Sequence, residues 1–235
     1  WGAGDARWVR PLHRILCLLD GEVVPVTFAG LEAGDRTIGH RFMAPAVVAV
    51  RDAADHAGRL EAAKVVREAS ERRRRILDGA RTLAAAAGLV LREDHALLDE
   101  LAGLAEWPVP LLGRIDDVFM GLPPEVLTTS MRSHQKYLAL DHPDGTLAPR
   151  FVVVADLEAT DGGTAIVAGN ERVLRARLWD ARFFWDTDRK IRLDERRDAL
   201  ARMVFHAKLG SMADKALRLE CLAGIVAERI GGVDT

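Results

Sequence analysis

The chain has 235 residues, of which 49% are hydrophobic, so it can bury a core in one large domain or two small ones. Its 33 Lys and Arg residues nearly balance its 35 Asp and Glu residues, which excludes a global field that attracts nucleic acid or membrane. No apolar run approaches the roughly 18 residues of a membrane span, and no secretory leader is visible, so we expect a cytoplasmic protein without membrane contact.

The N-terminal part of the chain is predicted to form a β-hairpin followed by a loop. Branched residues dominate Trp8 to Leu19, and an Asp-Gly turn separates this run from Val23 to Phe28. The loop is Gly39 to Pro45, in which glycine and proline enclose His40 and Arg41. These two residues either serve a function or simply hydrogen-bond a buried turn, and the sequence leaves both interpretations open.

The next part of the chain is predicted to be helical. Ala53 to Ala87 is rich in Ala, Arg, Glu and Leu, which predicts one short helix and then one long one. The long helix holds Arg72 to Arg75, but four consecutive helical positions point around most of the circumference and cannot all touch one ligand. We therefore favour a solvated helix here. Glu93 to Glu106 is predicted to be a third, acidic helix that a Trp-Pro pair ends.

Strand-like sequence returns in the middle of the chain. Leu111 to Ile115 is predicted to be a strand, and a Pro-Pro pair after it can start a short helix. Met131 to Leu140 is interpreted as an extended run that an HPDG turn joins to Phe151 to Leu157, which predicts a second hairpin. If the first run is extended, three polar residues stand at every second position: Arg132, His134 and Lys136.

A helix with an arginine stripe is predicted over Gly169 to Phe184. At roughly 100° per residue, one face is apolar and carries Leu174, Leu178, Ala181 and Trp185. An adjacent side carries Arg172, Arg175, Arg182 and Arg189. Guanidinium groups at this spacing suit a line of phosphates, because each offers a planar fork of donors. The alternative is a solvated face held by ion pairs with neighbouring carboxylates.

Arg177 faces closer to the apolar stripe than the other arginines do, so we expect it to be buried and paired. From Gly163 to the end the whole chain is predicted to be helical, with a boundary near Lys190 to Leu193. The two cysteines, Cys17 and Cys221, stand far apart in apolar runs, which predicts two buried free thiols.

The common catalytic and cofactor motifs are missing from this sequence. It has no Walker-type glycine loop, no GxGxxG, no HExxH, no paired CxxC and no GxSxG. His134 and His206 could act as general bases, but a histidine without a visible partner is more often structural. We therefore expect no catalytic residue, no metal ligand and no bound cofactor in this chain.

Six segments, spread in order over nearly the whole chain, resemble the β subunit of the bacterial-type, two-subunit glycyl-tRNA synthetase. They are WGAGDARWVRPLH from Trp1, GHRF from Gly39, EWPVPLLGRID from Glu106, LPPEVLTTSMRSHQKYLAL from Leu122, GNERVLRARLWDARFFWDTDRK from Gly169 and KLGSMADKALRLECLAGIVAERIG from Lys208. Because the chain opens at Trp1 without a methionine, we expect it to be a fragment of such a subunit.

The resemblance implies a fold and a role. The fold is α+β, with a mixed sheet-and-helix module over residues 1–190 and the opening helices of a helical, HD-like domain over residues 191–235. In this family the α subunit makes glycyl-adenylate with ATP and Mg²⁺, while the β subunit is needed for charging and carries most contacts to tRNA(Gly). We therefore expect an α2β2 holoenzyme, and a fragment that is inactive alone.

The resemblance also gives weight to an RNA-facing surface. Its residues would be Arg132, His134, Lys136, Arg172, Arg175 and Arg182. Phosphate contacts there would position tRNA and weaken as salt rises. The competing hypothesis is a scaffold, in which Asn170 caps the helix and the arginines clamp loops or the α subunit. A third class, an independent hydrolase, would need a cluster of histidines and carboxylates with metal spacing, which the sequence lacks.

Overall fold

The computed structural model of the protein describes residue 7 and residues 12–231. The start of the first predicted strand and most of the WGAGDARWVRPLH segment lie outside the described residues. Contacts divide the chain into two compact units, with the boundary between Trp179 and Asp180. Helices and strands both contribute to the fold, so the predicted α+β class is confirmed. Among residues 12–231, no helix combines the length and the apolar character that crossing a membrane requires.

The first unit contains short strands at its start and a larger sheet further on. The early strands are β1 (Ile15–Leu16), β2 (Leu18–Leu19), β3 (Glu22–Val23), β4 (Thr27–Phe28), β5 (Leu31–Gly34), β6 (Arg36–Ile38) and β7 (Val47–Ala49). The later strands are β8 (Val90–Leu91), β9 (Val109–Arg114), β10 (Leu138–Asp141) and β11 (Leu147–Ala155). Strands β2 and β3 pair antiparallel across the Asp-Gly turn, which confirms the predicted first hairpin over these residues.

The helices of this unit follow the predicted order. They are α1 (Ala53–Ala62), α2 (Ala69–Ala86), α3 (His95–Leu104), α4 (Pro124–Thr129) and α5 (Thr164–Asp188), which continues past the unit boundary. A 3-10 turn spans Asp117–Phe119, and a π-helix spans Ser130–Gln135. The short helix followed by a long one, the acidic third helix and the proline-initiated α4 are all confirmed.

The central sheet has the strand order β8-β10-β11-β9, and its neighbouring strands are all antiparallel. Strands β10 and β11 form the second predicted hairpin. Successive side chains on a strand point to opposite faces. One face therefore presents Val152 with its register partner Leu138, and this face joins the buried core of α2 and α3. Ile76 and Leu98, both fully buried, represent the two helices in that core.

The opposite face of the sheet carries Phe151. Its ring stacks on Tyr137, with 4.5 Å between ring centroids. Gly113 is the cross-strand partner of Phe151 and leaves room for the ring, because a Cβ there would lie closer than 3.0 Å to three ring carbons. The Tyr137 hydroxyl donates to Oδ1 of Asn170 on α5, at 2.7 Å. Burial raises the pKa of Tyr137 to about 12, so this hydroxyl stays a donor.

The extended interpretation of Met131 to Leu140 is wrong in its first half. The chain leaves α4 directly into the π-helix, which ends at Lys136 in the left-handed region, with φ 59°. Two backbone N–H groups, those of Lys136 and Tyr137, donate to the Met131 carbonyl and close this turn. The reason is burial: Met131 is 1% exposed and holds the turn against the core, so only Leu138 onward is strand.

The four consecutive arginines of α2, Arg72 to Arg75, all find partners within the protein. Arg72 donates to the carbonyls of Val66 and Ala102, each at 2.6 Å, and Arg73 to Asp99 at 2.7 Å. Arg74 and Arg75 both donate to Glu71. The side chains point in different directions, as the helical spacing predicts. The arginine side chains of α2 are therefore held by internal hydrogen bonds and are not simply solvated.

These arginines make stability depend on pH. Hydrogen bonds from Arg74 and Arg75 lower the pKa of Glu71 from 4.5 to about 2. Because the folded-state pKa is depressed, the stabilisation is present above the unfolded-state pKa and is lost as pH falls from 4.5 toward 2. We expect Glu71→Gln to lower the urea midpoint at pH 6, and the gap to wild type to close near pH 2. Exposed Glu125, changed to Gln, is the control; equal effects of both variants at pH 6 would contradict this.

The second unit is not wholly helical. After the end of α5 come a 3-10 helix (Asp194–Arg202), strands β12 (Val204–His206) and β13 (Gly210–Ser211), and α6 (Met212–Ile230). The helical prediction for everything after Gly163 is therefore wrong for this antiparallel pair. Gly210, with φ 84°, allows the tight turn, and Ser211 then caps α6 in a capping box with Asp214.

Other expectations for the C-terminal part have mixed outcomes. The division into a module of residues 1–190 and an HD-like domain of residues 191–235 stays a prediction. Among the described residues both cysteines are free thiols, as expected. They are not buried, however, since Cys17 is half-buried and Cys221 is exposed on α6. Lying in an apolar stretch of sequence was not enough to bury Cys221, since α6 has no buried residue at all.

Candidate functional site

The π-helix places Arg132 against the start of α3. The Arg132 guanidinium donates to both carboxylate oxygens of Asp94, through Nε to Oδ2 and through Nη2 to Oδ1. Asp94 in turn caps α3 by accepting from the backbone N–H of Leu97 at 3.0 Å. The hydrogen bond from Arg132 holds the pKa of the Asp94 carboxyl below its usual range, so the pair is ionised at neutral pH.

Lys136 and His134 have different surroundings. Lys136 forms an ion pair with Glu100 of α3, with 2.8 Å between Nζ and Oε1. His134 is exposed, and no hydrogen bond to its ring is found within the described part of the chain. Arg132 and Lys136 therefore both pair with carboxylates of α3 and its N-cap, while His134 points to solvent. The sequence analysis missed their carboxylate partners, although Asp94 stands just before an apolar helical run, where an N-cap is expected.

A cavity of about 210 Å³ opens beside Arg132. Its lining includes Arg92, which donates to both carboxylate oxygens of Asp141 at 2.9 and 2.6 Å. The floor is apolar, with Leu97 and Leu138. The hydroxyl-bearing residues Thr128, Thr129 and Ser133 line the cavity as well. No sequence pattern indicated this cavity, since its residues come from separate elements of the chain.

The arginines of α5 do not form one uniform stripe. Arg175 donates to both carboxylate oxygens of Asp116, at 2.5 and 3.1 Å, and this bond holds the pKa of Asp116 below its usual range. Arg172 is exposed and has no ion pair among the residues that the structure describes. The apolar face is confirmed by Leu174 and Leu178, which are 1% and 0% exposed.

The expectation that Arg177 is buried and paired is wrong. Arg177 is exposed, and residues 12–231 offer it no ion pair within bonding distance. It lies one position before Leu178, but that single step of about 100° is enough to turn it out of the packed face. Arg182 belongs to the second unit, where its Nε lies 3.7 Å from Asp186 one turn later.

Asn170 does not cap α5, because that helix begins six residues earlier, at Thr164. The cap is Asp161, whose carboxylate accepts from the backbone N–H groups of Gly163 and Ala165 at 2.9 and 2.8 Å. Asn170 lies inside the helix, where its Nδ2 donates to the Ile166 carbonyl at 2.8 Å. Its oxygen is thereby aimed at the Tyr137 hydroxyl, so Asn170 joins α5 to the π-helix segment.

The GHRF segment forms a turn that His40 hydrogen-bonds to the end of β11. His40 is 1% exposed, and its Nδ1 accepts from the backbone N–H groups of Phe42 and Met43 at 3.3 and 3.2 Å. The other ring nitrogen must therefore carry the proton, which it donates to the Asp156 carbonyl at 2.5 Å. Arg41 is exposed and lies over the Phe42 ring, 5.0 Å from its centroid. The geometry favours the hydrogen-bonded turn for His40.

Comparison with known proteins agrees with the resemblance seen in the sequence. A family described as "Glycyl-tRNA synthetase beta subunit" matches residues 1–234. The glycine--tRNA ligase beta subunit of Phenylobacterium zucineum is 53% identical over 96% of this chain and 34% of its own length. The glycine--tRNA ligase beta subunit of Rhodospirillum centenum is 49% identical over 98% of this chain and 36% of its own length.

The relative from Cereibacter sphaeroides, with the same name, is 49% identical over 98% of this chain and 34% of its own length. The chain thus spans about a third of the length of the curated relatives that it matches. The match runs through both units, and it includes the segments that carry Arg132, Arg172 and His40. The chain therefore belongs to the glycyl-tRNA synthetase beta subunit family.

Proposed function

We propose that this chain is part of the non-catalytic, tRNA-engaging subunit of a glycine–tRNA ligase. The single observation that carries the proposal is the family match over residues 1–234. In this proposal the partner α subunit binds ATP and Mg²⁺ and makes glycyl-adenylate, while this subunit holds tRNA(Gly) in an α2β2 enzyme of the cytoplasm. No cofactor binds to this chain, and the chain alone does not transfer glycine.

The exposed arginines of the first unit support RNA contact. Arg172 and Arg177 project from α5 without an ion pair among the described residues, so their donors are available to phosphates. Arg132 and Arg175 each use Nε and Nη2 for a carboxylate and keep further N–H donors. Their side chains remain about half exposed, at 51% and 45%. A phosphate could therefore approach both kinds of arginine.

A structural scaffold that docks the catalytic subunit without touching RNA is the second candidate. Its specific support is the two-point contact between Arg175 and Asp116, together with the Lys136–Glu100 pair. These pairs join separate elements of the first unit, which is what a clamp does. Under this hypothesis the paired residues hold the fold, and the unpaired Arg172 and Arg177 have no role in RNA binding.

Removing unpaired arginines separates the two candidates. In the full-length subunit, we expect Arg172→Ala and Arg177→Ala to weaken tRNA(Gly) retention, because each removes an exposed phosphate donor. The slope of log affinity against log salt should become shallower by about 1 for each phosphate that is no longer bound. The paired, exposed Arg74 of α2, changed to Ala, serves as the control and should leave both quantities unchanged.

The scaffold hypothesis gives the opposite pattern. Arg175→Ala would then reduce stability or co-purification with the catalytic subunit, while tRNA retention by Arg172→Ala and Arg177→Ala would equal wild type. The role in charging is tested by glycine transfer to tRNA with the catalytic subunit, with and without the full-length partner. Undiminished transfer in the absence of this subunit would overturn the proposed function.

A further inference from the structure

We propose that the cavity beside Arg132 receives one unpaired nucleotide of a bound RNA. This inference rests on the proposed function, since it assumes that the subunit engages tRNA. It adds a specific binding site to a surface that would otherwise only hold phosphates. Three features of the cavity support it: its size, the state of its charged groups, and the chemistry of its floor and rim.

The size of the cavity suits a single small group. Cavities that bury drug-sized ligands measure about 300–1,000 Å³. The cavity here measures about 210 Å³ and is open on one side, so it can take one flat ring and leave the rest of the ligand outside. An unstacked base that remains attached to an RNA strand has this shape. A free glycine would fill only a small part of the space.

The charged groups of the cavity are already neutralised. Arg92 is held by Asp141 and Arg132 by Asp94, in both cases through Nε and Nη2. The net charge of these four side chains is zero, so a free anion is attracted less strongly here than at Arg172, which is unpaired among the described residues. The pairs instead fix two planar guanidinium groups at the cavity wall. Fixed guanidinium planes can stack on a base, and their remaining N–H groups can donate to its edge.

The floor and the rim complete a surface that suits a base. Leu97 and Leu138 are 3% and 1% exposed, and they supply an apolar floor for one face of a ring. Thr129 and Ser133 lie at the rim, and in the described residues their hydroxyl groups have no hydrogen-bond partner. Hydroxyls that can both donate and accept suit base edges and the ribose 2′-OH. The combination of buried leucines with hydroxyl-bearing residues in the lining therefore favours a nucleotide.

Filling the cavity tests the inference. Thr129→Phe and Ser133→Phe, made in the full-length subunit, place a ring in the cavity from two different elements. Thr82→Phe makes the same exchange at an exposed helical position of α2 and is the matched control. We expect each cavity variant to raise the tRNA dissociation constant about tenfold, the scale of losing one stacked base. The salt slope should stay at its wild-type value, because no phosphate donor is removed.

A short unstructured oligoribonucleotide provides the second measurement. It should compete with tRNA for the wild-type and Thr82→Phe proteins, and compete more weakly for the two cavity variants. Thermal unfolding of each variant checks the fold; if Thr129→Phe is destabilised, Ser133→Phe decides. Cavity variants that bind tRNA as tightly as the Thr82→Phe control would overturn the inference while the proposed function stands. A wild-type subunit that does not retain tRNA would overturn both.

Discussion

Replacing Phe151 by alanine is expected to lower the free energy of unfolding by about 3–5 kcal/mol, the usual cost of removing a fully buried aromatic ring. Phe151 is 0% exposed and stacks on Tyr137, and its ring fills the space above Gly113. The loss therefore includes the buried area, the stacking interaction and the cavity left behind. Because Tyr137 also bonds to Asn170, the contact between α5 and the sheet should loosen as well.

Urea denaturation followed by circular dichroism measures the effect of Phe151→Ala. Phe42→Ala is the control, because the same atoms are removed from a side chain that is 69% exposed. We expect the control to cost below about 1 kcal/mol, since its effect is limited to the surface. Equal stability losses for the two variants would show that Phe151 does not hold the sheet and α5 together.

Replacing His40 by alanine is expected to cost about 3 kcal/mol or more, because each buried polar group left unpaired costs about 1–3 kcal/mol. The variant removes the acceptor for the backbone N–H groups of Phe42 and Met43 and the donor for the Asp156 carbonyl. These bonds join the GHRF loop to the end of β11, which lies 116 positions away in the sequence. Urea denaturation measures the loss.

A conservative variant separates the two sides of the imidazole. The side-chain oxygen of asparagine can take the place of Nδ1, so His40→Asn should keep the bonds to Phe42 and Met43 and lose the bond to Asp156. Its stability should fall between that of wild type and that of His40→Ala. Arg41→Ala changes an exposed neighbour and should stay within about 0.5 kcal/mol of wild type. If His40→Ala lost no more stability than Arg41→Ala, the hydrogen bonds of His40 would not stabilise the fold.

These two expectations concern the same unit as the candidate RNA surface. Phe151 supports Tyr137, which directly follows the segment that carries Arg132, His134 and Lys136. A stability loss at Phe151 should therefore also weaken tRNA retention in the full-length subunit. By contrast, Arg172→Ala should weaken retention without any loss of stability, because that side chain is exposed and unpaired within the described residues. Measuring stability and tRNA retention for both variants separates residues that support the fold from residues that contact RNA.

Helical periodicity and turn chemistry determined most of the secondary structure. Helices α1 to α4 and both early and central hairpins follow from spacing, capping and turn residues that lie within a few positions of one another. The apolar face of α5 at Leu174 and Leu178 also follows from spacing alone. The order of six short segments was enough to indicate the family, which the match over residues 1–234 confirms.

The tertiary structure decided how the polar side chains are used. A stripe of arginines on a helical wheel does not reveal that Arg175 meets Asp116 while Arg172 meets solvent, because that pairing joins positions 59 residues apart. The π-helix, in which Met131 is buried, removes the alternation on which an extended Arg132-to-Lys136 surface depended. Local sequence determines periodicity, whereas contacts between distant segments determine which charges remain available to a ligand.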